Sequence, residues 1–201
     1  MAVRDALLVL LMNGPAYGFQ LHGDLAARTG GRRVVNVGQT YSTLERLTAQ
    51  GLVEPAGSTD DGLPLHRLTR AGRAAGEAWL GGEDGAGTDP WHESVDRVLI
   101  AVSMPSIEAG PVIEAERERW SGRRAAADAT VDAGMDARAR LAAGAASAEH
   151  ARADAMLAWL EELVASDLDA AAFAPSAERP KRGRRPSRTA QASSAQAPTD
   201  A

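Results

Sequence analysis

The polar residues between Val34 and Val53 have the types and the spacing of a helix that reads DNA. Tyr41, Leu44 and Leu47 recur three residues apart and form one thin apolar face. The opposite face carries small hydrogen-bonding side chains and an arginine, namely Gln39, Thr40, Ser42, Thr43 and Arg46. Such side chains can form hydrogen bonds with base edges in a DNA major groove. A surface helix of an ordinary α+β domain has the same pattern, so the flanking segments must decide between the two interpretations.

The segments on either side of this helix predict two more helices. Residues 6–12 are almost wholly apolar and predict a buried helix that ends before Pro15, because a residue before proline is pushed out of the helical region. A second helix fits residues 19–28 and is followed by two glycines. The polar helix itself begins near Gly38 and ends at Gly51, since glycine accepts the left-handed backbone that follows a last turn.

A β-hairpin is predicted after the third helix. Two extended runs, residues 52–55 and 63–69, flank a turn that contains Asp61-Gly62. Asp-Gly between extended runs is a strong hairpin signal, and the prolines in both runs indicate a short hairpin at a sheet edge. Three helices followed by a hairpin predict a winged helix-turn-helix, in which His66 and Arg67 near the wing can reach phosphate or the minor groove.

Three pieces of sequence, in this order, carry a family resemblance: LLVLLMNGPAYGFQL, VGQTYSTLERLTAQGLVE and LHRLTRAGRAAGEAWL. With them, residues 6–80 resemble the PadR family of bacterial transcriptional regulators. The order and spacing of the pieces are more specific than any one of them. The resemblance implies a homodimer, a double-stranded DNA operator with two half-sites, and repression that a small molecule or another signal relieves.

Position along the chain assigns roles to the candidate DNA-binding residues. Gln39, Thr40 and Thr43 lie in the first part of the third helix, where base edges come within reach. Arg46 lies further along and is expected to bind phosphate or guanine, and Tyr41 is expected to be half-buried with its hydroxyl free for a phosphate. We also expect two arginines that precede the helix to bind phosphates of the DNA backbone, namely Arg32 and Arg33.

The second half of the chain predicts a helical dimerisation module. The glycine-rich acidic stretch after residue 80 indicates a linker over residues 81–90. Helical spacing continues through residues 91–173, with one long helix over residues 113–141, an interruption at Gly144, and a wide apolar face after it. That face should meet another chain or fold onto the preceding helix. The predicted fold is therefore mainly α with a small β-hairpin wing, residues 1–80 forming the DNA-binding domain.

Charge divides the chain in the same way. Residues 1–80 carry a net charge of +1, residues 81–177 carry −10 and residues 178–201 carry +4, which together give the net −5 of the whole chain. The acidic residues are thus concentrated in the predicted helical module, away from the predicted DNA-binding surface.

Tryptophans in the helical module leave two interpretations open. Trp91, Trp120 and Trp159 stand out in a chain with 4% aromatic residues. They can anchor a helix–helix core, because tryptophan buries a large area. They can also line a site for a small aromatic effector, since some relatives bind planar aromatic compounds at the dimer interface. In that case a carboxylate on the effector would meet one of three nearby side chains, Arg119, Arg123 or His150.

The C-terminal segment from residue 174 to residue 201 is rich in proline, serine and alanine and is predicted to be disordered. Within it, residues 179–186 read RPKRGRRP and resemble an AT-hook, with Arg182, Gly183 and Arg184 as the core that would enter a minor groove. A merely solubilising tail has the same composition, so both interpretations stay open.

No enzyme, metal or cofactor site is predicted. The chain has no cysteine, its four histidines (His22, His66, His92 and His150) show no metal spacing, and no nucleophile elbow or phosphate-binding loop occurs. The absence of an 18-residue apolar run and of a signal peptide predicts a location in the bacterial cytoplasm, at the nucleoid. Besides the DNA-binding regulator, two alternatives remain: a winged-helix adaptor for other proteins, or a general DNA coater without an effector.

Overall fold

The computed structural model describes residues 2–85, 87–130, 136–166 and 171–180. The first helix, α1 (Ala2–Leu10), continues into a 3-10 turn at Leu11–Asn13. The elements that follow are β1 (Ala16–Tyr17), α2 (Gly18–Arg28), α3 (Val37–Ala49), β2 (Val53–Ser58), β3 (Pro64–Leu68) and α4 (Arg70–Leu80). The chain then forms α5 (Pro90–Ser103), α6 (Ala109–Thr130) and α7 (Ala137–Ala165). The predicted order of three helices and a hairpin wing, followed by helices, is confirmed.

The wing belongs to an antiparallel sheet in which β3 lies between β1 and β2. His66 in β3 is opposite Ala16 of β1 on one side and Pro55 of β2 on the other. The sequence predicted the β2–β3 hairpin but not β1, because a two-residue strand leaves no periodic signal. Pro55 lies on the edge strand β2, as a residue without an N–H donor should.

Side-chain caps fix the starts of several helices. Asn36 accepts a hydrogen bond from the Gln39 amide at 2.7 Å and so begins α3 one residue before the predicted start. Thr69 caps α4 by accepting from the Gly72 amide at 3.1 Å. Asp136 caps α7 by accepting from the Ala139 amide at 2.8 Å.

Two apolar cores hold the described residues together. The N-terminal core joins α1, α2, α3 and α4, with the buried side chains Leu7, Leu8, Leu21, Leu25, Leu44, Leu47 and Trp79 among its members. The C-terminal core joins α5, α6 and α7 through residues that include Val98, Ile113, Trp120, Met156 and Leu160. Helix α5 belongs to both cores, because Ile100 and Met104 pack in the first and Val95, Val98 and Val102 pack in the second.

The single helix predicted over residues 113–141 is wrong. Helix α6 ends at Thr130 and α7 starts at Ala137, so Leu141 and Gly144 both belong to α7. Helix α7 folds back on α6, as the pairs His150–Asp128 and Arg124–Asp154 show. The alanine-rich sequence hid the start of α7, because its helical pattern runs on from residue 113 to residue 141, although Asp136 is a recognisable cap. Among the described residues, every helix is too short or too polar to traverse a bilayer.

Candidate nucleic-acid interface

Helix α3 is supported from behind by one stripe of buried side chains. Thr40, Thr43, Leu44 and Leu47 follow the i, i+3, i+4, i+7 spacing of a single helix face and are all buried. The two leucines pack in the N-terminal core. The Thr40 hydroxyl faces α2, 3.5 Å from the His22 ring nitrogen Nδ1. This packing holds α3 against α2 in the manner of a helix-turn-helix and leaves its other face in solvent.

The prediction that Thr40 and Thr43 contact bases is corrected by this burial. Their exposed fractions are 0% and 3%, and the Thr43 hydroxyl donates to the Gln39 carbonyl at 2.8 Å. The prediction grouped residues by polarity, but the position of a residue around the helix axis decides whether it is buried. A buried threonine can satisfy its hydroxyl with a hydrogen bond to the backbone of its own helix. Tyr41 was predicted on the apolar face. It instead lies beside the buried stripe on the surface of the helix and is 39% exposed.

The face of α3 that points into solvent carries a different set of residues, namely Val37, Gly38, Tyr41, Ser42, Glu45, Arg46, Thr48 and Ala49. Sequence reasoning missed Val37 and Glu45 as candidate contacts, although the helical angle from Tyr41 places both on its side. Gln39 lies at the edge of this surface and is half-buried. Arg46 folds along the helix, donating to the Ser42 carbonyl at 3.3 Å and to the Thr43 hydroxyl at 3.1 Å.

The Tyr41 ring is placed by its packing on the start of α2. A Cβ atom added to Gly18 would lie 2.6 Å from the Tyr41 ring atom Cε1, closer than real Cβ contacts come. Glycine at this position therefore lets the ring lie close to the start of α2. The phenol is thus fixed at the border between α2 and the exposed face of α3.

The arginines before α3 are paired inside the protein. Arg33 Nε lies 2.5 Å from Asp96 Oδ2, and Arg32 Nε lies 3.9 Å from Asp96 Oδ1. Burial raises the pKa of the Asp96 carboxyl on α5, although both arginines act in the opposite direction. The Arg33 guanidinium holds the loop before α3 against α5, so a contact with a DNA phosphate, which stays a prediction, would compete with Asp96. Arg32, at the longer distance, keeps more of its side chain in solvent.

The wing offers little positive charge. His66 is half-buried in the central strand, and burial lowers the pKa of its imidazole, which favours the neutral form. Its predicted contact with phosphate or the minor groove stays a prediction, and a neutral imidazole would bring no charge to it. Arg67 is exposed but pairs with Glu54 across the hairpin at 2.8 Å. The wing tip is acidic, and Asp61 there lies 2.6 Å from Arg179.

The candidate effector residues lie in and around the C-terminal core. Trp120 is buried, packs edge-to-face on Trp91 with 6.0 Å between ring centroids, and donates to the Ser94 hydroxyl at 2.8 Å. Trp159 packs against the same core. The structure thus brings the three tryptophans together as helix anchors.

The charged candidates beside the tryptophans already have partners within the chain. Arg119 pairs with Asp84 and Glu116, each at 2.8 Å, and the Arg123 guanidinium lies 5.3 Å from the centre of the Trp120 ring. His150 lies 2.6 Å from Asp128 and 3.0 Å from Asp154. An effector carboxylate would have to compete with these contacts. The remaining candidates, Arg182, Gly183 and Arg184, lie outside the described residues.

The N-terminal part of the chain matches a known protein family. Residues 7–78 match the family described as transcriptional regulator PadR-like. No curated protein matches the chain significantly. The similar solved structures include Bacillus subtilis PadR in complex with operator DNA, with 17% identity, coverage of 81% of this chain and 96% of that chain, and a TM-score of 0.37. They also include Bacillus subtilis PadR in complex with p-coumaric acid, with 17% identity, coverage of 82% and 98%, and a TM-score of 0.35.

The family match coincides with the winged helix described above. It begins within α1 and ends within α4, so it contains α2, α3 and the whole wing. The match, over elements whose packing leaves one polar helix face exposed, identifies residues 7–78 as a domain of the transcriptional regulator PadR-like family.

Proposed function

We propose that the chain binds operator DNA as a homodimer and represses transcription until a small molecule releases it. The observation that carries the proposal is the exposed face of α3, where Tyr41, Ser42, Glu45 and Arg46 lie together on a helix whose opposite face is buried. These side chains supply donors, an acceptor and an aromatic ring at the spacing of a major-groove helix.

Dimerisation is proposed through the hairpin of α6 and α7. The inner face of α7 packs on α6, and large apolar side chains remain on its outside, with Leu141 78% exposed and Val164 55% exposed. A second copy that covered them would remove apolar area from water. The two α3 helices of a two-fold dimer would then read half-sites about one DNA turn, ~34 Å, apart.

The division of the chain into domains is part of the proposal. Residues 1–80 act as the DNA-binding domain, residues 81–90 connect it to the helical module of residues 91–173, and residues 174–201 form a basic tail. Residues 1–80 have a small net charge. Specific contacts and dimer pairing therefore contribute more to the affinity for DNA than phosphate neutralisation does.

Selection of bound fragments from random double-stranded DNA by the full chain tests the proposal. We expect an inverted repeat whose half-sites are one turn apart, a dimer by light scattering, and loss of binding with one compound of a panel of phenolic acids and cationic drugs. Binding only at low salt and without sequence preference would reject operator recognition and favour the adaptor or the DNA coater. If a dimer binds its operator and no compound releases it, only the small-molecule part of the proposal would be rejected.

A further inference from the structure

An extended segment near the end of the chain crosses the winged helix. Residues 171–180, here called the strap, contact the end of α5, where the Phe173 amide donates to the Ser103 carbonyl at 3.1 Å. Arg28 of α2 donates to the Phe173 carbonyl at 2.9 Å, and its guanidinium lies 4.3 Å from the centre of the Phe173 ring. Residues 174–180, part of the segment predicted to be disordered, thus follow a residue that is bonded to the N-terminal domain.

The middle of the strap forms a hydrogen bond with a buried carboxyl. Asp24 of α2 is buried and accepts from the Ser176 amide at 2.9 Å. Burial raises the pKa of the Asp24 carboxyl, while the Ser176 amide and Arg28 act against that rise. Loss of the amide would leave the carboxyl buried without this hydrogen bond, so the contact stabilises the position of the strap on α2.

The far end of the strap lies between β1 and the tip of the wing. The Tyr17 hydroxyl in β1 donates to the Glu178 carbonyl at 2.5 Å. Arg179 Nη1 donates to Asp61 Oδ1 at the wing tip at 2.6 Å, and the guanidinium lies 5.4 Å from the centre of the Tyr17 ring. These contacts place an arginine from the end of the chain at the tip of the wing.

The wing by itself carries a net negative charge. Residues 53–68 contain three carboxylates and one arginine, Arg67, which pairs with Glu54 at 2.8 Å. The phosphates of DNA would repel such a wing, because like charges repel and phosphate contacts are made by cations. Arg179 adds a positive charge at the point where the wing lacks one.

The Arg179 guanidinium has donors left for a second acceptor. Its side chain is 53% exposed, and within the described part of the chain it donates to Asp61 alone, through Nη1. Nε and Nη2 therefore remain for another partner. A guanidinium presents five N–H donors in one plane, so it can hold a carboxylate and a phosphate at the same time.

The end of the strap also lies near the exposed face of α3. Gly18 follows Tyr17 in the chain, and the Tyr41 ring of α3 lies close to that glycine. Tyr17 and Tyr41 thus connect the Arg179 guanidinium with the border of the exposed face. The residues of that face are exposed with the strap in place, so the strap lies beside the proposed DNA-binding surface and leaves it open.

We propose that Arg179 is a phosphate ligand of the wing and that the strap holds it in place. Nη1 stays on Asp61 and neutralises the wing tip, while Nε and Nη2 donate to a backbone phosphate beside the half-site that α3 reads. A residue outside the family match of residues 7–78 thus completes the wing. The proposal rests on the proposed operator binding.

The salt dependence of operator binding by Arg179→Gln tests this proposal. On the selected operator, affinity at physiological salt should fall about fivefold per protomer, and the slope of log affinity against log salt should become shallower by roughly one per protomer. Arg179→Lys keeps the charge and should keep most of that slope. Arg117→Gln is the matched control, because it removes the same charge from an exposed ion pair on α6, and it should leave the slope unchanged. An unchanged slope in Arg179→Gln would overturn the proposal.

The same substitution in an Asp61→Asn background separates a phosphate ligand from a residue that only neutralises the wing tip. A phosphate ligand lowers the slope equally in both backgrounds when it is removed. If Arg179 only neutralises Asp61, its loss has no effect once that carboxylate is absent, and this result would overturn the proposal. Failure of the unchanged chain to select any operator would instead reject the proposed function.

Discussion

Glu45 is the residue on the exposed face of α3 whose chemistry is most selective. A carboxylate that faces DNA is repelled by phosphates, so it must gain a specific donor to be useful there, and the cytosine N4 amino group in the major groove is such a donor. Glu45 is exposed, and Arg46 beside it is turned toward Ser42 and Thr43. We therefore expect Glu45 to act as a specificity residue and Arg46 as a general contact.

Replacing Glu45 by alanine should relax base preference at one position of the half-site by ~1–3 kcal/mol. The same variant should bind random DNA more tightly, because a negative charge has been removed from the DNA-facing surface. Competition binding against a set of single-substituted operators measures both effects. Thr40→Val is the matched control, since Thr40 is buried and its change should leave base preference unaltered. A changed preference in the Thr40 variant with none in the Glu45 variant would reverse the assignment of the two faces.

For individual residues, the sequence predicted the helix that carries the site but only some of the residues on the exposed face of that helix. Gln39 and Arg46 lie at or beside the exposed face, as expected, whereas Tyr41 lies there although it was predicted on the apolar face. The pairing of Arg33 with Asp96 could not be predicted, because the two residues are 63 positions apart and only the packing of α5 brings them together. A local sequence pattern gives the type of a side chain. Whether that side chain is free to contact DNA depends on residues that are distant in the sequence.

Helix α4 shows how closely two elements can approach when a side chain is absent. A Cβ atom added to Gly72 would lie 1.9 Å from the carbonyl oxygen of Leu52, which also accepts the Thr69 amide at 3.0 Å. The end of the turn before β2 and the start of α4 are thereby joined without space for a methyl group. This joint sets the position of the wing relative to the rest of the N-terminal domain.

Gly72→Ala should destabilise the protein by at least about 3 kcal/mol, since the added carbon meets backbone rather than a flexible side chain. Gly122→Ala is the matched control, because Gly122 lies inside α6 with nothing within 4 Å of its added Cβ. That control should stabilise the protein by about 0.5–1 kcal/mol, the usual gain of alanine over glycine in a helix. Urea denaturation of both variants measures the difference. Two variants of equal stability would show that α4 can move away from Leu52 at little cost.

The existence of the helices was predicted well, and their ends were predicted where caps and glycines mark them. Gly51, with φ at +69°, follows α3 as expected, and Thr69 precedes α4. The start of α7 at Ala137 was missed, because the alanine-rich sequence on both sides of it supports a helix. The missed strand β1 is defined by its partner β3 and not by its own two residues.

Across the whole molecule, α5 and a buried ion cluster couple the DNA-binding half to the helical half. Arg97 of α5 is fully buried between Glu116 of α6 and Asp84 of the segment after α4, with Asp84 at 2.8 Å. Arg119 joins the same two carboxylates, and the Ser94 hydroxyl donates to Glu116 at 2.6 Å. The segment predicted as a plain linker over residues 81–90 therefore contains Asp84, a member of a packed charge cluster.

The Arg97 guanidinium is also tied to the N-terminal core, because it lies 5.0 Å from the centre of the Trp79 ring. The indole of Trp79 in turn donates to the buried Glu93 at 2.6 Å. A change at Arg97 thus touches α4, α5 and α6 at once. This cluster and α5 itself thus join the helical module to the domain that carries α3.

Arg97→Met should destabilise the protein by about 3–5 kcal/mol, because it leaves buried carboxylates without their central cation while keeping most of the side-chain volume. Arg117→Met is the matched control, since Arg117 forms an exposed pair with Glu114 on α6 and its loss should cost no more than about 1 kcal/mol. Urea denaturation followed by tryptophan fluorescence measures both, and the native-state emission should change in the Arg97 variant alone, through Trp79. If the two variants lost equal stability, Glu116 and Asp84 would be held by Arg119 alone, and α5 would couple the two halves by apolar packing rather than by charge.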